Sequence, residues 1–340
     1  MTLKIAAFLF ALLLPGSTLA NPYLPKPGER SIPVRIATSA VSGGFIHLYS
    51  ALDYGIFEKY GFRVEHIYIR GQSPALAALA ADQTQFNYGA ADGSLPGIAA
   101  GVDAKFIASP LVKLPYVMVA RKDIRRPEDL KGKAIGVTRP GDLSARLSRQ
   151  VLRKFGLTSD DVTIHPIGGS QQERYQAMVG NVVQAILVTP PLDVRAKLDG
   201  FNVIYRLIDL EIPFVYSSLM TNYKMLRERT DTVQRMVAAL AEALHFVEKN
   251  PDKAKAAVAK AMRVKDEDAL QTSYNVYARD IVDRTMVVPG KSITEAWEIA
   301  RDSGTIVRRK PEELYDNSFV NHLEKTGFLK ELWGNENYRR

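Results

Sequence analysis

The chain has 340 residues, of which 45 are basic and 37 acidic, giving a formal charge of +8, and it contains no cysteine. That absence removes structural disulfides, thiolate metal ligands, cysteine nucleophiles and the lipid-modified cysteine of a bacterial lipoprotein. The basic residues are scattered, with no run longer than Arg308-Arg309-Lys310 and only pairs elsewhere, such as Arg339-Arg340. The surplus therefore reads as a solvated surface that mildly favours anionic solutes, and no nucleic-acid partner is expected.

At the start, Lys4 precedes the apolar run Ile5 to Leu14, and Thr18-Leu19-Ala20 offers the small residues a signal peptidase needs. The run is short of the ~20 residues that span a bilayer, and Pro15-Gly16 breaks it. Residues 1–20 are thus expected to be a cleavable signal, with a periplasmic protein beginning near Asn21. What remains is too long for one ordinary core and suits two domains of ~150 residues each.

Val34 to Ala37 alternates like a strand and runs into Ser39-Ala40-Val41-Ser42-Gly43-Gly44. A helix follows, with Phe45, Leu48, Tyr49 and Leu52 at helical spacing and Gly55 to end it. A strand over Val64 to Ile69 leads to Gly71-Gln72-Ser73-Pro74, where Ser73 suits an N-cap and Pro74 the first helical position. Strands are expected at Gln85 to Gly89 and at Phe106 to Ala108. The pattern then restarts. Strand Ala134 to Val137 runs into Thr138-Arg139-Pro140-Gly141-Asp142, and Leu143, Leu147, Val151 and Phe155 share a helix face. Strand Val162 to Pro166 precedes Gly168-Gly169-Ser170, and Ser170 with Glu173 reads as a capping box. Strand Ala185 to Val188 runs into Thr189-Pro190-Pro191. Ala78 to Ala81 before Phe86 to Gly89 echoes Ala177 to Gly180 before Ala185 to Val188, a weak internal repeat. Pro213 to Thr221 has strand character. Beyond Met225 the chain reads as helical, with Val233, Met236, Val237, Leu240, Leu244 and Val247 on one face and a second capping box at Ser292 and Glu295.

No GxSxG elbow, Walker loop, HExxH or kinase motif occurs, and the five histidines, His47, His66, His165, His245 and His322, lack metal-ligand spacing. No catalytic set, metal or cofactor is expected. What recurs is strand, small polar loop, helix N-terminus: Ser39, Ser42 and Gly43; Gly71, Gln72 and Ser73; Thr138 and Gly141; Gly168 to Ser170; Thr189. Helix capping is the ordinary role of any one such loop, but five spread over two lobes mark a cleft, because strand C-termini and free helix N–H groups favour anions or acceptors there. Arg139 suits a bidentate contact to carboxylate or sulfonate, and Asp92 stands in Gly89-Ala90-Ala91-Asp92-Gly93. Arg70 reads as a solvated charge.

Four segments carry a resemblance: Ala51-Leu52-Asp53-Tyr54-Gly55-Ile56-Phe57-Glu58-Lys59-Tyr60-Gly61-Phe62, Asp129-Leu130-Lys131-Gly132-Lys133-Ala134-Ile135-Gly136-Val137, Thr189-Pro190-Pro191, and Phe319-Val320 with Leu323 to Phe328. From about Val34 to Leu332 the chain resembles the periplasmic solute-binding proteins of nitrate, sulfonate and taurine ABC importers, a family that includes binders of thiamine-precursor pyrimidines. The resemblance implies a type II periplasmic-binding-protein fold of the α/β class, with hinge crossings near Pro115 to Ala120 and Pro213 to Ser218. Residues 21–117 and 216–340 would form lobe I with a C-terminal helical cover, and 118–215 lobe II. It places ligand contacts in the loop after the first strand (Ser39, Ser42, Gly43), at Gly71, Gln72 and Ser73, in the loop after Tyr88 (Ala91, Asp92), at Thr138, Arg139 and Gly141, and at Thr189. It implies a monomer that delivers a small solute to a permease and its ATPase. That solute is sulfonate-, nitrate- or carboxylate-like, or alternatively a pyrimidine or aromatic compound. The family usually has Asp where Asn87 and Gln184 stand, and the Asp92 loop departs from its pattern, which argues against a simple nitrate or sulfonate. Enzymes on the same fold are the rival class. The related pyrimidine synthases carry a cysteine-rich motif absent here, and the menaquinone-pathway lyases or dehydratases are cytoplasmic, against which the signal argues.

Overall fold

The computed structural model describes residues 21–140, 142–168, 170–334 and 337–339. The expected signal segment and Gly141 lie outside the described residues. Two five-stranded sheets form the frame. In the first, β1 (Ile32–Thr38), β2 (Phe62–Tyr68) and β3 (Phe86–Gly89) run parallel, joined through α1 (Ile46–Asp53), the single turn α2 (Ile56–Lys59) and α3 (Gln72–Ala80). After α4 (Ala91–Ala99) and β4 (Lys105–Leu111) the chain leaves for the second sheet. There β5 (Val117–Ala120) is followed by β6 (Ala134–Val137), α5 (Leu143–Lys154), β7 (Thr163–Pro166), α6 (Gln171–Val179), β8 (Ala185–Val188), α7 (Leu192–Leu198) and β9 (Asn202–Arg206), and β10 (Ser217–Thr221) then returns to the first sheet.

The strand orders, β2-β1-β3-β10-β4 and β7-β6-β8-β5-β9, are the same pattern built twice. In each, the strand that follows a crossing lies antiparallel between two neighbours, β10 between β3 and β4 and β5 between β8 and β9. The repeat reaches single residues. Asp82 and Asn181 both take positive φ in the turn after α3 and α6. Three residues on, the Gln85 and Gln184 side chains each accept from a backbone N–H of the neighbouring strand, Arg35 in β1 at 3.0 Å and Ala134 in β6 at 2.9 Å. Gln184 therefore matches Gln85, and not Asn87, which lies fully buried on β3.

Val117 to Ala120, expected as part of a hinge, is a fully buried strand paired on both sides. A boundary after Val117 would cut β5. The crossings lie upstream, at residues 112–116 and 211–216, where they run side by side with Phe214 N–H donating to Val112 at 2.8 Å and Tyr216 N–H to Leu111 at 2.9 Å. The four-residue strands β3, β5 and β8 are buried on both faces, as expected for central strands covered by helices, and β5 and β8 read as continuous apolar runs rather than alternating ones.

Capping shows where local rules hold. Ser170 Oγ accepts from Glu173 N–H and the Glu173 carboxylate from Ser170 N–H, the expected box. At α3 the cap is Gly71 at φ +98°, a conformation glycine tolerates, so Ser73 and Pro74 fall inside the first turn. Likewise α12 (Gly290–Asp302) starts two residues before Ser292, which leaves Ser292 buried within the helix rather than capping it. After α8 (Tyr223–Glu228), the long helix α9 (Thr230–Lys249) buries its predicted face, Val233 to Val247, against α1, α10 (Pro251–Met262) and α13 (Ser318–Lys325). The short helix α14 (Phe328–Trp333) also packs there, while α11 (Glu267–Asn275) ends in a π-helical turn over Val276–Asp280. No described helix is long and apolar enough to cross a membrane.

Candidate ligand site

The loops that follow β1 and β3 meet those that follow β6 and β8, and three tyrosines fill the junction. Tyr116 comes from the first crossing, Tyr216 from the second and Tyr277 from the π-helical turn. Tyr216 meets Tyr116 edge-on at 6.2 Å and stacks on Tyr277 at 5.9 Å. Tyr277 donates its hydroxyl to the Pro190 carbonyl at 3.1 Å, and the Tyr216 hydroxyl lies near Ser42 and Thr189, so both rings reach across to the second lobe. Glycine is required beneath them, because a Cβ on Gly43 would lie 2.7 Å from the Tyr277 ring and one on Gly44 2.6 Å from that of Tyr216. Burial raises all three phenols above their ordinary range, so they are hydroxyl donors at neutral pH.

On the second lobe, Thr138 is the centre of a polar knot. Its Oγ1 accepts from Arg174 Nη1 at 2.9 Å and Ser144 Oγ at 3.3 Å, while its N–H donates to Ser144 Oγ at 3.0 Å. Arg174 is 6% exposed and burial lowers its guanidinium pKa, with Tyr116 and two acids pulling it back up. Thr189 donates its N–H to Gln171 Oε1 at 2.8 Å. Across the cleft, Asp92 on α4 faces Arg146 and Asp142. Burial raises the Asp92 carboxyl above the ordinary carboxylate range, and Arg146 pulls it down only in part.

A folded-state pKa raised above the unfolded value means that the folded protein holds the proton more tightly. Stability is then greatest below the unfolded pKa, about 4, and falls as pH climbs towards the folded one. Asp92→Asn is accordingly expected to melt higher than the parent at pH 7, with the gain fading as pH approaches 4. A lower melting temperature for the variant at pH 7 would mean that the attraction to Arg146 outweighs burial.

Of the sequence-derived residues, Ser42, Gly43, Asp92, Thr138 and Thr189 come together around the tyrosines. Ala91 is buried with its N–H on the Val215 carbonyl, and Gln72 is taken up by Ala90 O and Ser94 Oγ, so both brace α4. Ser39 is half-buried beside Gly71, whose N–H it accepts at 3.4 Å, and Gly71 and Ser73 are exposed. Arg139 is exposed and outside the cleft lining. Its place is taken by Arg174, whose position just after a capping glutamate gives the sequence appearance of a surface charge. Tyr116, Tyr216, Tyr277 and Arg146 also escaped the sequence reading, since aromatic residues in crossings carry no periodic signal.

Two α/β lobes, joined by two crossings and contributing jointly to one cleft, define the periplasmic-binding-protein fold. The NMT1/THI5-like family model matches residues 43–254, and the chain belongs to that family. A candidate binding protein of Brucella abortus (strain 2308) is 27% identical over 261 residues, covering 75% of this chain and 79% of the relative. A candidate ABC-transporter periplasmic binding protein of Brachyspira hyodysenteriae is 27% identical over 214 residues, covering 58% and 60%. The periplasmic aliphatic sulphonate binding protein SsuA of Escherichia coli superposes with a TM-score of 0.65 at 18% identity, over 82% of this chain and 89% of that one. The desulfurization enzyme DszB superposes equally well, with a TM-score of 0.65 at 16% identity over 87% and 99%. These similarities support a substrate-binding role in an ABC importer, on a fold that enzymes also use.

Proposed function

We propose that the protein is the periplasmic solute-binding component of an ABC importer, a monomer that closes its two lobes on a small solute with an anionic group and passes it unaltered to a permease and its ATPase. The observation that carries this reading is the convergence of both lobes on one cleft, with the Arg174–Thr138–Ser144 knot on one side and the tyrosines on the other. A buried guanidinium beside hydroxyl donors suits carboxylate or sulfonate. The tyrosine wall favours, as a second reading, an aromatic or pyrimidine solute. Nucleophilic chemistry of the cysteine type has no residue to use, since the chain contains none.

A thermal-shift screen of sulfonates, nitrate, aromatic carboxylates and pyrimidines tests the proposal. A ligand at a hundredfold excess over Kd should add about 2.7 kcal/mol and raise the melting temperature by several degrees. The hit should be recovered chemically intact after long incubation, and scattering should show a smaller radius of gyration in its presence. An altered compound would favour an enzyme, and an unchanged radius would argue against closure.

A further inference from the structure

From the polar knot at Thr138 a groove of about 700 Å³ runs outward between α5 of the second lobe and α12 of the first. That volume includes the inner end at Thr138 and Arg174 and is enough for a solute longer than a single small anion. Its floor is apolar, with Leu143 and Leu147 from α5 opposite Ile293, Ala296 and Ile299 from α12. Arg146, Arg149, Gln150 and Arg153 stand at i, i+3, i+4 and i+7 and share the groove-facing side of α5. Four arginines in all, counting Arg174, face three acids, Asp92, Asp142 and Glu295. Gln150 from α5 and Ser292 from α12 also line the groove.

We propose that this groove is a second subsite for the distal part of an elongated solute. The solute has an anionic head at Arg174, an aryl or alkyl body between α5 and α12, and a second anionic end at Arg149 and Arg153. This rests on the binding function proposed above and narrows it to two-ended anions. The spacing follows from the helix. Ser144 marks the inner knot, and at 1.5 Å of rise per residue Arg149 and Arg153 lie about 8 and 14 Å further along the axis. Small anions such as nitrate would leave the groove empty.

Calorimetry with terephthalate and the aliphatic dicarboxylates from succinate to sebacate tests the proposal, with benzoate and octanoate as one-ended controls. Two-ended compounds whose charges are spaced to match should bind at least tenfold more tightly than the controls, with an optimum of length within the series. That advantage should vanish in the Arg149→Ala/Arg153→Ala pair, which removes the outer charges and should leave affinity for the controls as in the parent; Ala296→Leu, which fills the groove, should also abolish it and weaken every compound whose body enters the groove, octanoate included. If the controls bind and the second carboxylate adds nothing, or if the variants leave the advantage intact, the groove is no subsite and the single-site reading stands. If no compound of either kind binds, the anion-binding function falls with it.

Discussion

Replacing Arg174 by alanine is expected to weaken ligand binding by roughly ten- to a hundredfold, and replacing Arg139 to leave it unchanged. A charge-assisted hydrogen bond is worth ~1.5–3 kcal/mol, and Arg174 holds its guanidinium where such a bond forms: 6% exposed, fixed by Thr138 Oγ1 and beside Tyr116. Arg139 is exposed, and a solvated arginine contributes little to binding at a distance. Arg174→Lys keeps the charge but loses the planar fork, so it should fall between the two. Thr138 retains its bonds to Ser144 in either variant, so the loop should stay in place; a melting curve for each variant separates lost binding from lost fold. Equal losses for Arg139→Ala and Arg174→Ala in calorimetry would overturn this assignment.

The same pair of arginines shows what a sequence can and cannot disclose. The strand-loop-helix punctuation was readable because capping and turn chemistry are local, as at Ser170 with Glu173. The sequence marks the loop that bears Thr138 as cleft-facing, and Thr138 lines the groove between the lobes. The side chain chosen within it was not the one that reaches the cleft, because successive residues of an extended segment point to opposite sides. Thr138 faces inward to Arg174, and Arg139, next in line, therefore faces out. The crossings were placed too far downstream for a different reason. Val117 to Ala120 is all apolar and carries no signal that tells a hinge from a doubly buried strand, a distinction set by its pairing with β8 and β9. Tyr216 and Tyr277 meet only through tertiary contact, 61 positions apart by their numbers, and no window along the chain brings them together.

Those two rings make the second large effect predictable. Gly44→Ala is expected to destabilise the protein by about 1–3 kcal/mol and to weaken ligand binding about tenfold or more. The added methyl would lie 2.6 Å from Cε1 of Tyr216, a separation that real Cβ contacts do not show, so something must move. The Gly44 backbone is pinned by its N–H on Ser42 Oγ and its carbonyl on Ser217 Oγ. Tyr216 has little freedom either, since its N–H is held by Leu111 and its ring lies between Tyr116 and Tyr277. Displacing the ring disturbs its contact with Thr189 and the stacking of Tyr277, which is itself held on the Pro190 carbonyl, so one of the direct links between the lobes is loosened. Gly55→Ala, at a turn whose φ is +69° and where nothing but the end of a glutamate comes near, should cost only backbone strain and leave binding intact. The decisive comparison is a double-mutant cycle. Shrinking the obstructing ring with Tyr216→Leu should make Gly44→Ala far less costly, because the clash that couples the two positions is gone. If the two substitutions are instead additive in melting temperature and in affinity, the penalty at Gly44 does not arise from Tyr216, and the ring does not depend on a glycine to reach the opposite lobe.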